Sequence, residues 1–324
     1  MGMVLRDGPA GQIDTRESDS ASRTPSAFLR RLWRDRWMYL FILPGFCYFV
    51  LFEYVPLIGN VIAFKDYSPF LGIQASPWVG LENFRALVTD PDVGLALRNT
   101  LVISILQLAL FFPVPIALAL LLNSILFEPA KRLLQSVLYL PHFISWVIII
   151  SLWQQVLGGD GFVNQVLRNQ GLDPVNIMNN PDFFQPLVVL QLIWKESGWG
   201  TIIFLAALTK VDFSLYEAAV LDGAGRWQRL RDVTIPGIRP VIFLLLILQL
   251  STLLTTGFIQ FYLQRNAVGA EVSEVLDTFT YFRGIQGGDW GFATAVGLVK
   301  GIVGTILVIT FNKLAKRFGE EGVY

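Results

Sequence analysis

Six stretches of the chain stay apolar long enough to cross the ~30 Å hydrocarbon core of a bilayer as helices. They fall at about 37–58, 97–122, 133–157, 186–209, 239–257 and 291–312. Pro44, Pro113 and Pro115 lie inside them, which membrane helices tolerate better than soluble ones. The fourth stretch is the least clean, because Lys195, Glu196, Ser197 and Gly198 interrupt it. Three longer polar connections separate the runs on one side, at about 59–96, 158–185 and 258–290. Trp78, Trp153 and Trp290 fall near predicted span ends, where interfacial belts place aromatic rings. Residues 1–36 are rich in Ser, Arg and Asp and contain no apolar run, which predicts a largely disordered tail. The pattern therefore predicts an all-α, polytopic membrane protein with about six transmembrane helices. Its membrane domain covers 37–324.

Composition agrees. The chain is 53% hydrophobic and 15% charged, and its mean hydropathy of +0.54 is too high for a soluble protein of this size. The net charge is zero, so no bulk electrostatic case exists for nucleic acid. The placement of the charges says more. With the N-terminus inside, seventeen Lys and Arg lie in inner segments and five in outer ones. The positive-inside rule then predicts both termini in the cytoplasm. Arg30, Arg31, Arg34 and Arg36 precede the first apolar run, which is too long for a signal peptide's apolar region and reads as an uncleaved anchor. One cysteine, Cys47, and one histidine, His142, leave no disulfide and no metal cluster. Cys47 reads as a buried small apolar group, and His142 as a packing or hydrogen-bonding residue. The chain has no G-x-x-x-x-G-K-[ST] phosphate loop and no nucleophile–base pair, so it is not expected to be an enzyme.

One inner segment breaks the apolar rule. Residues 217–237 read EAAVLDGAGRWQRLRDVTIPG. Ser214 to Glu217 form S-x-x-E, a capping-box pattern that opens a helix. Gly223 and Gly225 are expected to end that helix. A second short helix follows from Arg226 to about Asp232, and Pro236 and Pro240 mark entry into the next span. Small residues permit close backbone approach, and the neighbouring charges fix orientation. Such a surface suits a protein partner, although an ordinary amphipathic connector would look similar.

The segment resembles the EAA loop of ABC-importer permeases. Glu217-Ala218-Ala219 is followed at the family spacing by Gly223, and then by Val233, Thr234, Ile235 and Pro236. The longer form EAAxxDGA, typical of carbohydrate permeases, stands here as EAAVLDGA. YVPLIGNVIAFKDYSPFLG, LQSVLYLPHFISWV and WGTIIFLAALTKVDFSLYEAA are similar to the LplB-like polysaccharide branch of the MalF-type group, within which alginate is a specific candidate substrate. The resemblance implies a MetI-like permease fold in a bacterial cytoplasmic membrane, and transport of an oligo- or polysaccharide by alternating access. It also implies partners: a second, homologous permease subunit, a dimer of ATP-binding subunits that hold ATP and Mg, and an extracytoplasmic solute-binding protein. Glu217, Ala218, Ala219, Asp222, Gly223 and Arg226, in a cytoplasmic coupling loop at 210–238, would then couple this chain to the ATPase. A permease for another small polar solute, a stand-alone channel and an ion-coupled transporter are the alternatives, and the last would need acidic groups in mid-span.

Charges inside spans are costly, at least about 2.5–3.5 kcal/mol at a helix centre. Lys195, Glu196 and Lys300 therefore call for a reason. They could line a water-filled substrate path, with Trp194 and Trp199 stacking on sugar rings. Equally, Lys195 and Glu196 could pair locally, and Lys300 could bond a neighbouring helix. Gly297 and Gly301 form G-x-x-x-G, which suits close helix packing, internal or between subunits.

Overall fold

A computed structural model describes residues 33–317 and 319. The predicted tail at 1–36 lies almost wholly outside the described residues. The described chain is helical, with no strand and one isolated bridge between Lys65 and Trp78. It falls into two units, one ending at Ile58 and the other starting at Gly59.

The first unit is helix α1, Arg36–Phe49, continued by a π-turn at Val50–Tyr54 and one turn to Ile58. None of its residues is buried. Phe41, Phe52 and Ile58 are all more than half exposed, which suits a lipid-facing span, since lipid tails are as apolar as the side chains. Cys47 is exposed here too, so the expectation that it is buried is corrected.

The second unit contains α2 (Glu82–Thr89), α3 (Pro91–Leu106), α4 (Pro113–Asn123), α5 (Glu128–Tyr139), α6 (Trp146–Leu157), α7 (Phe162–Asn169) and α8 (Pro181–Leu208). It continues with α9 (Phe213–Leu221), α10 (Ile235–Ser251), α11 (Phe258–Val268) and α12 (Trp290–Arg317). Two of the long helices open on the same local device. The Asp90 side chain accepts a hydrogen bond from the Asp92 N–H at 2.9 Å, with Pro91 in the first turn. The Asn180 side chain accepts from the Asp182 N–H at 2.9 Å, ahead of Pro181. Each side chain satisfies a helix-start donor that has no partner within the helix, and each proline loses only an N–H the helix does not use. These caps start α3 and α8 several residues earlier than hydropathy alone predicts.

Among the described residues, five helical stretches are long and apolar enough to span a membrane: Arg36–Phe64, Pro91–Asn123, Trp146–Asn169, Arg226–Ser251 and Trp290–Arg317. The fourth predicted span, α8, is long enough at 28 residues but carries Lys195, Glu196, Ser197 and Gly198 at its middle. It is also the centre of the unit, burying Phe184, Val188, Gln191, Lys195, Thr201 and Phe204 among others. In lipid no hydrophobic force pulls apolar helices inward, and polar groups seek the protein interior.

The third predicted span, 133–157, is not one helix. Pro141 falls in a 3₁₀ turn at Leu140–Phe143, Ile144 is extended, and Ser145 caps a new start for α6. Amphipathic α5 is thereby separated from α6. The connection at 258–290 is not a loop either, since it holds α11, single turns at Ala270–Ser273 and Leu276–Phe279, and a π-helical stretch at Thr280–Gln286. Positive-φ glycines flank α11, at +97° for Gly257 and +87° for Gly269.

Candidate functional site: the coupling segment and the membrane cavity

Helix α9 starts differently from the predicted capping box. Asp212 is its cap, accepting the Ser214 N–H at 2.9 Å. That N–H holds the Asp212 carboxyl below the ordinary aspartate value. The helix ends as expected at Gly223, whose φ is +80°. The Gly223 N–H donates to the Val220 carbonyl at 3.0 Å, and the Ala224 N–H to the Ala219 carbonyl at 2.8 Å. This pair of bonds is the Schellman arrangement. Gly225 does not end that helix but opens the next one, its N–H donating to Gln228 Oε1 at 2.7 Å.

No residue of α9 is buried. Glu217 and Ala218 are exposed and Ala219 is half-buried. Phe213, Leu215, Val220, Leu221 and Trp227 are exposed as well. Among the described residues, Glu217 and Asp222 have no side-chain partner. Tyr216 ties the helix back to the membrane part through a 3.0 Å bond between its hydroxyl and Thr234 Oγ1. Arg226 and Arg229 line a groove of about 690 Å³ with Tyr216, Leu120 and Leu121, and Arg229 Nε has no partner.

The second short helix expected from Arg226 to about Asp232 does not end there. The helical turn at Arg226–Arg229 runs through a π-turn, Leu230–Thr234, directly into α10. Pro236, which lacks an N–H, follows that π-turn within the continuous helix. The result is one rod of 26 residues, about 39 Å long.

The far part of this rod lines a cavity of about 560 Å³, where Leu245, Leu248 and Gln249 face residues of α8 and the Gln107–Phe111 π-turn. Glu196 and Trp199 line it, as do Gln107, Thr252, Thr255 and Thr256. Lys195 and Trp194 do not. Lys195 is buried, its ammonium donating to the His142 carbonyl at 2.7 Å and lying 3.3 Å from Glu196 Oε1. Trp194 packs edge-on to Trp153. Lys300 is paired with Asp277 and lines an adjoining groove with Gly297, Gly301 and Gly304, which shares Thr252 and Thr255 with the cavity. The other oxygen of Asp277 accepts the N–H groups of Thr256 and Gly257, so this ion pair anchors the turn at the edge of the cavity. Gly297 and Gly301 have open space at the Cβ position, and Gly304 is the glycine that packs closely, against the Ser251 carbonyl.

Two features escaped the sequence reading. His142 Nδ1 lies 2.6 Å from Glu196 Oε2, and its ring stacks on Trp199 at 4.6 Å between centroids. The hydrogen-bonding reading of His142 therefore holds, but its partner is 54 residues away. Gln191, Gln260 and Gln264 form a buried amide cluster joining α8 to α11, with bonds of 2.9–3.1 Å. Gln191 lies within the fourth apolar stretch, where a polar side chain is itself a signal, whereas Gln260 and Gln264 fall in the connection at 258–290, where polar residues are unremarkable.

Residues 109–320 match the family described as "Binding-protein-dependent transport system inner membrane component". The chain belongs to that family. Residues 109–320 include α8, residues 217–237 and most of the cavity wall. The permease is 50% identical over 297 residues to the polygalacturonan/rhamnogalacturonan transport system permease protein YteP of Bacillus subtilis (strain 168), covering 91% of this chain and 92% of the relative. It is 44% identical to Protein LplB of the same organism, over 92% of this chain and 94% of that one. A solved bacterial alginate ABC transporter, in complex with a periplasmic protein bound to an alginate pentasaccharide, matches with a TM-score of 0.83 and 35% identity. That match covers 91% of this permease and 99% of the solved chain. The permease is thus a multi-pass inner-membrane transport component, and the MetI-like fold and LplB-like branch expected from the sequence hold.

Proposed function

We propose that this permease forms part of the path by which an oligo- or polysaccharide enters the cytoplasm, driven by ATP hydrolysis in separate subunits. The observation that carries this reading is the unbroken rod from Arg226 to Ser251. One end adjoins exposed α9 and the other lines the cavity, so a push on the coupling segment is transmitted to the cavity wall as a rigid displacement.

In this reading Glu217, Ala218, Ala219, Asp222, Gly223 and Arg226 meet the ATP-binding subunit on the cytoplasmic side. ATP and Mg stay in that subunit. A second permease completes the path, and a solute-binding protein delivers the sugar from outside. Both termini of this chain then lie in the cytoplasm. The cavity suits a saccharide, because Trp199 and Phe111 offer ring faces while Gln107, Gln249 and the threonines offer donors and acceptors. The YteP-like relatives and the alginate transporter structure support the substrate class.

Reconstitution of the permease pair with and without the ATPase, followed by labelled oligosaccharide uptake, tests the scheme. Uptake requires the ATPase and ATP, and Glu217→Ala lowers uptake more than it lowers membrane assembly. Uptake by the permeases alone would overturn the reading.

A further inference from the structure

The groove of about 690 Å³ beside α9 lies where two membrane-crossing stretches meet the bilayer surface. Pro91–Asn123 ends at it and Arg226–Ser251 begins at it, which places it at the depth of the lipid headgroups. One wall is apolar: Leu120 is half-buried, while Leu121 and Leu126 are exposed. The other carries Arg226 and Arg229, which share one face of the first turn of the rod. Among the described residues lining the groove there is no carboxylate.

Neither guanidinium has an ion-pair partner among the described residues, and Arg229 Nε is buried without a hydrogen bond. By contrast, Lys195, Lys300, Arg265 and Arg283 each sit against a carboxylate. An arginine that serves only membrane orientation extends its head into water, whereas Arg229 is half-buried in the groove. A phosphodiester suits this wall, because a guanidinium fork matches two phosphate oxygens. The Asn123 amide adds donors from the end of α4. Inorganic phosphate would satisfy only the charged wall and leave the leucines bare. Acyl chains on the same molecule cover them.

We infer that this groove binds one anionic phospholipid, its phosphate on Arg229 and Arg226 and its acyl chains against Leu120, Leu121 and Leu126. A zwitterionic lipid gains less, since its ammonium offsets the attraction of its phosphate. The cytoplasmic leaflet rests on the reading that α9 meets the ATP-binding subunit, but the lipid chemistry does not.

The test titrates the complete complex, both permeases with the ATP-binding subunits, in neutral detergent with phosphatidylglycerol or phosphatidylcholine. Native mass spectrometry counts the first lipid bound. The wild type is expected to hold phosphatidylglycerol on the order of tenfold more tightly than phosphatidylcholine. Arg229→Gln lowers that ratio by about fivefold, and Arg229→Lys restores part of it. Leu126→Glu changes an exposed side chain and also lowers the ratio, by placing a carboxylate in the groove; it serves if the arginine variant fails to assemble. A wild-type ratio near one, or a ratio unmoved by both Arg229→Gln and Leu126→Glu, overturns the inference. Displacement of the lipid by millimolar inorganic phosphate overturns it too, as does a preference present in the permease pair and lost once the ATPase docks. Labelling of Leu221→Cys, in a Cys47→Ser background, by an impermeant maleimide outside right-side-out vesicles would overturn the cytoplasmic reading alone.

Discussion

In the proposed scheme, Gly223→Ala isolates the backbone contribution to coupling. Gly223 holds φ at +80°, and a Cβ built on it meets nothing within 4 Å. Steric exclusion therefore plays no part, and the whole effect is the left-handed backbone, which costs a non-glycine residue roughly 1–2 kcal/mol. That penalty shifts the capped turn against its alternatives by a factor of about 5–30. The turn sets the direction in which the chain leaves α9 for Arg226 and the rod, so loosening it removes the fixed angle between docking helix and lever. Asparagine tolerates the left-handed region better than alanine, which supplies an internal scale. ATP hydrolysis and sugar uptake are measured together in proteoliposomes. The expected order of uptake per ATP is wild type, then Gly223→Asn, then Gly223→Ala, with the alanine variant reduced by up to the factor above. A Gly223→Ala complex that transports like wild type would refute the reasoning, as would asparagine and alanine variants equally impaired.

Gly198→Ala would place a methyl 2.0 Å from the Leu138 carbonyl oxygen, a backbone atom of α5. Overpacking of about 1–3 kcal/mol then outweighs the ~1 kcal/mol gain in helix propensity, whereas Gly94→Ala, with open space, gains. Thermal stability of the purified complex distinguishes the two signs. Gln191→Leu removes the shared acceptor of Gln260 and Gln264 and costs roughly 1–3 kcal/mol, read by unfolding in mixed micelles. Asp277→Ala is expected to destabilise more than Lys300→Met, because it orphans the Thr256 and Gly257 N–H groups as well as the ammonium; the same unfolding assay ranks them. Asp212 has a depressed carboxyl, so its cap is intact above the unfolded aspartate value near 4 and weakens as pH falls below it. Asp212→Asn keeps a capping oxygen and flattens that acid limb of the coupled ATPase.

The chain's own order of residues was enough to determine the class of protein, because membrane helices must satisfy their backbone internally and carry a contiguous apolar run. It was also enough to mark 217–237, where local spacing sets both the helix and its glycine stop. Helix ends follow the apolar stretches closely where hydropathy alone sets them, as at the start of α12, and less so where the Asp90–Pro91 and Asn180–Pro181 caps extend the helix. Tertiary structure decided the rest. Glu196 meets His142 across 54 residues, Lys300 meets Asp277 across 23, and Gln191 meets Gln264 across 73. Such pairings carry no local signature, since each depends on which helices lie side by side. Three-dimensional packing likewise sent Lys195 into the protein interior and left Glu196 on the cavity wall, although they are adjacent in sequence. Successive residues on a helix point about 100° apart, so only the position of the neighbouring helices settles which of the two reaches the cavity.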